Sequence, residues 1–120
     1  MASGNMESSR GLQATGSGQV MAYAMVTGLQ LLVYYNGAWT MDPAAVYYYG
    51  STSLVTNNDQ AQTIWAWEKY PNGQQYWQNW GYRYPGYIHG RFIGDARGWH
   101  QLAMWGSQSG WSNVIWIYVW

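Results

Sequence analysis

The chain reads as an all-β protein, an antiparallel β-sandwich preceded by an extended amino-terminal arm. Three observations predict this class. Short runs rich in Val, Ile, Tyr, Trp and Thr are separated by turn residues at intervals of roughly 8–12 residues, the rhythm of a sandwich or small barrel. No stretch carries a 3.6-residue apolar period, and 15 glycines interrupt any segment long enough for a helix. No repeat of fixed period appears, which excludes a propeller or a solenoid.

The elements follow in order. Residues 1–19 are mostly Ser, Gly, Ala, Asn and Gln and read as an arm that is flexible or ordered by a partner. A single domain is expected over 20–120. Val20–Val26 and Leu29–Tyr35 flank Thr27-Gly28 as a first hairpin, and both are too short to span a bilayer as a helix. Asn36-Gly37 and Asp42-Pro43 mark the next turns. AAVYYYG and STSLVT are short strands, and Asn57-Asn58-Asp59 is a loop. QTIWAWEKY pairs with QQYWQNWGYRY across Pro71-Asn72-Gly73. Pro85-Gly86 breaks the chain again before YIHGRFI, WHQLAMW and NVIWIYVW, which complete the set.

Composition narrows function. Five basic and five acidic residues cancel, and only 8% of the chain is charged. Lys69, Arg83, Arg91 and Arg97 make no cationic stripe of the kind nucleic acid requires. The chain has no cysteine, hence neither disulfides nor thiolate metal sites. Met1–Gln19 has no apolar core of a signal peptide, so the expected location is a virion or the cytoplasm of the producing cell.

The anomaly is aromatic. Ten Trp and twelve Tyr stand in 120 residues. A buried Trp or Tyr needs a partner for its N–H or O–H, so a domain this small cannot hide them all; some must form a binding surface. Period-2 parity names the suspect face. In the last strand Ile115, Ile117 and Val119 point one way, and Val114, Trp116, Tyr118 and Trp120 the other. Trp65 and Trp67 share a face opposite Ile64 and Ala66. Trp105, Trp111, Trp77 and Trp80 are further binding candidates.

The second half, from W-E-K-Y-P-N-G-Q through D-A-R-G-W-H-Q-L-A-M-W to V-I-W-I-Y-V-W, resembles an immunoglobulin-like domain over roughly residues 60–120. The resemblance implies that Trp67 is a core aromatic of the third strand, Asp95 a corner acid and Trp99 the corner aromatic. It departs from the family in having Trp99 for the usual Tyr, and Gln101 where a core residue normally stands. The run G-D-A-R-G-W-H-Q, preceded by Y-W-Q-N-W-G-Y-R-Y, is also similar to the segment of actinoporin-type sandwiches that carries their aromatic lipid-headgroup site. Those toxins use an amphipathic amino-terminal helix, which the Gly- and Ser-rich residues 1–19 do not supply.

Catalytic signals are thin. Asp95 and His100 with a serine such as Ser107 are the one local set that could make a triad, and no nucleophile elbow or H-E-x-x-H motif accompanies them. His89, His100 and Asp95 lack metal-site spacing. The expected protein is therefore non-enzymatic, without cofactor or metal. It reads as a structural module, such as a phage head or tail decoration protein, that hides its aromatic face in a homo-oligomer or larger assembly. The alternative is a lectin-like carbohydrate-binding module, because Gln74–Tyr82 and Trp105–Trp111 mix indole rings with amides.

Overall fold

The structure, a computed structural model, describes residues 12–14 and 28–120. The strand expected over Val20–Val26 and the remainder of the expected arm lie outside the described residues.

The described residues form two packed open sheets with no helix. The first sheet runs β1 (Leu12–Ala14), β8 (Gly86–Ile93), β5 (Ser51–Asn58), β2 (Gln30–Tyr35), β3 (Ala38–Thr40). The second runs β4 (Ala44–Val46), β11 (Ile115–Val119), β9 (Gly98–Gly106), β6 (Gln62–Lys69), β7 (Gln75–Arg83), with the short β10 (Gly110–Trp111) also on β9. Neighbours are antiparallel except β4, which lies parallel to β11. Within the expected arm, Leu12–Ala14 pairs with Phe92–Gly90 of the same chain.

Turn chemistry places the breaks. Asn36 (φ 56°) and Gly37 (φ 83°) both take positive φ, the type I′ geometry that lets β2 and β3 close as a two-residue hairpin. Gly73 (φ 89°) closes the β6–β7 hairpin, where its N–H donates to the Tyr70 carbonyl at 2.9 Å. The loop expected at Asn57-Asn58-Asp59 begins only at Asp59. Asn57 and Asn58 extend β5 and are buried, and the Asn58 carboxamide donates to the Arg83 and Tyr84 carbonyls. A buried amide with its hydrogen bonds made tolerates a strand end that an exposed one would leave.

Alternation builds the core. Leu31 and Val33 of β2, Leu54 of β5 and Ile88 and Phe92 of β8 face Ile64 and Ala66 of β6, Leu102 and Met104 of β9, and Ile115, Ile117 and Val119 of β11. Each large aliphatic or aromatic side chain buried here contributes about 1.5–3 kcal/mol. A polar strut joins the sheets: the Asn113 carboxamide accepts from the Leu31 N–H at 2.8 Å and donates to the Leu31 carbonyl at 2.9 Å.

At one end of the sandwich Gln62 is fully buried and is a hub. Its Nε2 donates to Asn58 Oδ1 and Ser109 Oγ, and its Oε1 accepts the Gln108 and Ser109 N–H groups at 2.8 Å each. Asp59 completes this knot, accepting from Ser109 Oγ at 2.6 Å and from the Gly28 N–H at 2.9 Å. Together they tie the β5–β6 turn to the β9–β10 hairpin.

Candidate functional site

With its aliphatic residues turned inward, the second sheet must carry the alternate positions outward. Many of those positions are indoles. Cross-strand register aligns them in rows: Trp65 beside Trp105, and Trp105 beside Trp111; Trp67 beside Trp77; Trp99 beside Tyr118. Every Trp except Trp39 and Trp80 is on this outer face.

The rings form two clusters. Trp111 meets Trp67 edge-on at 5.8 Å and Trp77 at 5.2 Å. Trp99 meets Tyr118 at 5.1 Å and Trp116 at 6.1 Å, and Tyr118 meets Trp120 at 5.2 Å. Such edge-to-face pairs hold ring orientation by the aromatic quadrupole. They leave much of the rings in solvent: Trp120 is 61% exposed, Trp111 53%, Trp99 47% and Trp116 43%.

Between the clusters runs a polar row, Gln75 beside Lys69 beside Gln101 beside Trp116. Here the face dips into an open cleft of about 480 Å³ lined by Lys69, Tyr70, Pro71, Asn72, Gly73, Trp99, Gln101 and Trp116. The side chains of Lys69 and Gln101 make no hydrogen bond or ion pair with the described residues. The cleft's shape is held by close packing of the β6–β7 turn on β9. Gly98 takes φ 112°, and a Cβ built on it would come within 2.9 Å of Pro71 Cβ.

Behind the cleft is a buried polar cluster. His100 Nδ1 lies 2.8 Å from Glu68 Oε2, and His100 Nε2 lies 2.6 Å from the Ala96 carbonyl. Tyr70 O–H donates to Asp95 Oδ2 at 2.6 Å, and Asp95 Oδ1 is buried without a hydrogen bond. Burial opposes charge on His100. The hydrogen bonds to Glu68 and Ala96, with the charges of Glu68 and Asp95, outweigh it and hold the imidazole above its ordinary range.

Sequence-predicted residues fall as follows. Trp116, Tyr118, Trp120, Trp105, Trp111 and Trp77 are on the outer face. Trp80 is not: it is 5% exposed and belongs to the core, because it stands an odd number of residues from Trp77 in the same strand. Its Nε1 donates to Gln78 Oε1 at 2.5 Å. Trp67, which the immunoglobulin resemblance implies is a core aromatic, is on the outer face and donates from Nε1 to Gln75 Oε1 at 2.9 Å. The core positions of β6 are Ile64, Ala66 and Glu68 instead. Trp99 is likewise outward, and the inward residues beside it are His100 and Leu102; Gln101 is outward by the same parity. Asp95 does sit at the corner before β9, held by Tyr70 rather than by Trp99.

Asp95 and His100 come together, but Ser107 does not join them. It lies beyond the other end of β9, where its Oγ accepts the Thr63 N–H at 3.0 Å. His89 is exposed on the first sheet. Glu68, Asp95 and His100 each bring one ligand atom within 4.8 Å of the others. Both ring nitrogens of His100 are engaged already, so a cation would have to break the bonds to Glu68 or Ala96.

Sequence reading missed Lys69, Tyr70 and Gln101 as cleft residues. Lys69 and Gln101 share the parity of Trp67 and Trp99, which was the available signal. Among the described residues no helix is long and apolar enough to cross a membrane. Comparison with protein-family models and with curated protein sequences found no match to this chain.

Proposed function

We propose that this chain is a non-enzymatic carbohydrate-binding module, with the outer face of the second sheet as its binding surface. The observation that carries the reading is the cleft that Trp99 and Trp116, two half-exposed indoles in edge-on contact, line together with Lys69 and Gln101, whose side chains have no partner among the described residues. Indole faces stack on the C–H face of a pyranose, and the free amide and ammonium satisfy its hydroxyls.

Assembly into a virion or homo-oligomer, the first expectation from sequence, is the second reading. Lys is depleted from the cores of protein interfaces, and Lys69 lines the cleft beside the aromatic cluster of Trp99 and Trp116, which favours an open ligand surface over a buried one. One observation supports assembly: a further aromatic patch on the first sheet, where Tyr34 and Trp39 are each 44% exposed and pack edge-on at 5.3 Å.

The strand order supports an immunoglobulin-like wiring beneath both readings. With β5 and β8 as strands B and E, and β6, β9 and β11 as C, F and G, the neighbours B–E and C–F–G are those of that sandwich. Lipid-headgroup binding of the actinoporin kind has less support, because the free charge in the cleft is a cation, which repels a choline group.

A glycan array followed by calorimetry tests the proposal. Binding to at least one glycan class, abolished in W99A and W116A variants that keep the wild-type melting temperature, is the expected result. An array without hits, together with a reversible dimer or trimer at micromolar concentration, would transfer the face to assembly.

A further inference from the structure

Resting on the carbohydrate reading, the chemistry of the cleft narrows the ligand. Lys69 is the last residue of β6, stands in register between Gln75 and Gln101, and lines the cleft. None of the residues lining the cleft is acidic. The nearest carboxylates, Glu68 and Asp95, cluster on the inner side of the sheet with His100. Asp59, tied to Ser109 and Gly28, belongs to the Gln62 knot beyond the other end of β6. The Lys69 side chain therefore has no counter-ion among the described residues, and Lys69 lines the cleft with two tryptophans.

We infer that the cleft binds an anionic pyranose, one whose ring stacks on Trp99 or Trp116 while its carboxylate or sulfate pairs with Lys69. A single ammonium at the wall of an otherwise neutral site contributes little to a neutral sugar, which gains one ordinary hydrogen bond from it. An anionic substituent gains a charge-assisted bond, roughly twice as strong. Gln101, which lines the cleft beside Lys69, is a neutral amide that donates to ring hydroxyls without competing for the anion. The edge-on contacts of Trp99 with Tyr118 and Trp116 hold the walls before the ligand arrives, so little ordering opposes binding.

Three oligosaccharide probes of equal length separate the possibilities: an oligogalacturonide, a sulfated galacto-oligosaccharide and the neutral galacto-oligosaccharide, each titrated by calorimetry into the full chain. At least one anionic probe should bind about 10-fold more tightly than the neutral one, with the gap closing as salt is raised. K69Q should bring the anionic affinity down to the neutral level, and K69R should keep the gap. Circular dichroism melts of both variants establish that the fold is intact. Equal affinity for neutral and anionic probes, or a preference that survives K69Q, overturns the inference while leaving the carbohydrate reading in place. No binding of any of the three overturns it as well; the broad array then decides whether the carbohydrate reading falls with it.

Discussion

The imidazole of His100 is held between the Glu68 carboxylate at 2.8 Å and the Ala96 carbonyl at 2.6 Å, with both side chains of the pair essentially excluded from solvent. Both ring nitrogens face oxygen atoms, an arrangement that favours the doubly protonated, charged ring. Tyr70 and Phe92 close over it edge-on at 5.0 and 5.2 Å.

This arrangement makes stability depend on pH. The folded-state value of His100 lies above its ordinary 6.5, so its contribution is complete below that value and is lost as pH rises through the raised one. Melting temperatures measured across neutral and mildly alkaline pH should fall on the alkaline side. Replacing Glu68 alone by Gln leaves a buried imidazolium without its counter-ion and should cost about 3–5 kcal/mol. The double change Glu68→Leu with His100→Phe should be far milder and should flatten the alkaline limb. An unchanged pH profile in the double variant would dismiss the pair as its source.

Asp59 governs the acid side. Burial pushes its carboxyl up, but hydrogen bonds from Ser109 and the Gly28 N–H outweigh this and hold it below its ordinary 3.8. Its contribution is present above that value and disappears as pH falls through the lowered one. Asp59→Asn should weaken the fold at neutral pH and reduce the steepness of acid unfolding, read by fluorescence against pH.

Gly106 and Gln62 cannot be altered independently. A Cβ at Gly106 would overlap the Gln62 carboxamide, and that carboxamide is pinned by hydrogen bonds to Asn58, Gln108 and Ser109. Gly106→Ala should therefore destabilise by about 1–3 kcal/mol, since a displaced Gln62 leaves buried polar groups unpaired. Urea denaturation reads this directly, and a variant as stable as wild type would mean that the carboxamide can relocate.

Two tryptophans should behave oppositely. Trp80→Ala empties a core position and should cost about 3–5 kcal/mol. Trp111, half exposed and packed only on one side by Trp67 and Trp77, should cost well under half of that on truncation. Equal losses in thermal melts would mean that the outer indoles support the fold as much as the core does.

Asn113 supplies the last test. Its carboxamide makes both hydrogen bonds that a neighbouring strand would make to Leu31. Asn113→Ala should cost about 1–3 kcal/mol for the backbone groups left unpaired, and Asn113→Asp should also destabilise, because a carboxylate cannot donate to the Leu31 carbonyl. Hydrogen exchange at the Leu31 amide should accelerate in both.

Much of this was legible in the chain. The alternation of Ile115, Ile117 and Val119 with Trp116, Tyr118 and Trp120 is written in the sequence because a strand has period 2. The same rule applied to β7 separates Trp80 from Trp77, although both look alike as aromatic residues in an amide-rich run. The immunoglobulin resemblance implied that Trp67 is a core aromatic and Trp99 a corner aromatic. Local parity, with Ile64, Ala66 and Leu102 as the apolar partners, turns them outward, and local parity prevailed because aliphatic residues fill the space between sheets more compactly.

The amino-acid sequence alone determined that this protein is built of strands and that its tryptophans outnumber the places available inside it. Both follow from local rules: side-chain period, turn residues and the volume of an indole. Only the tertiary structure decided that Lys69 and Gln101, from strands 6 and 9, line one cleft with Trp99 and Trp116, and that Glu68 meets His100 behind them. Strand order and register are set by the packing of the whole core, over separations that no local pattern records.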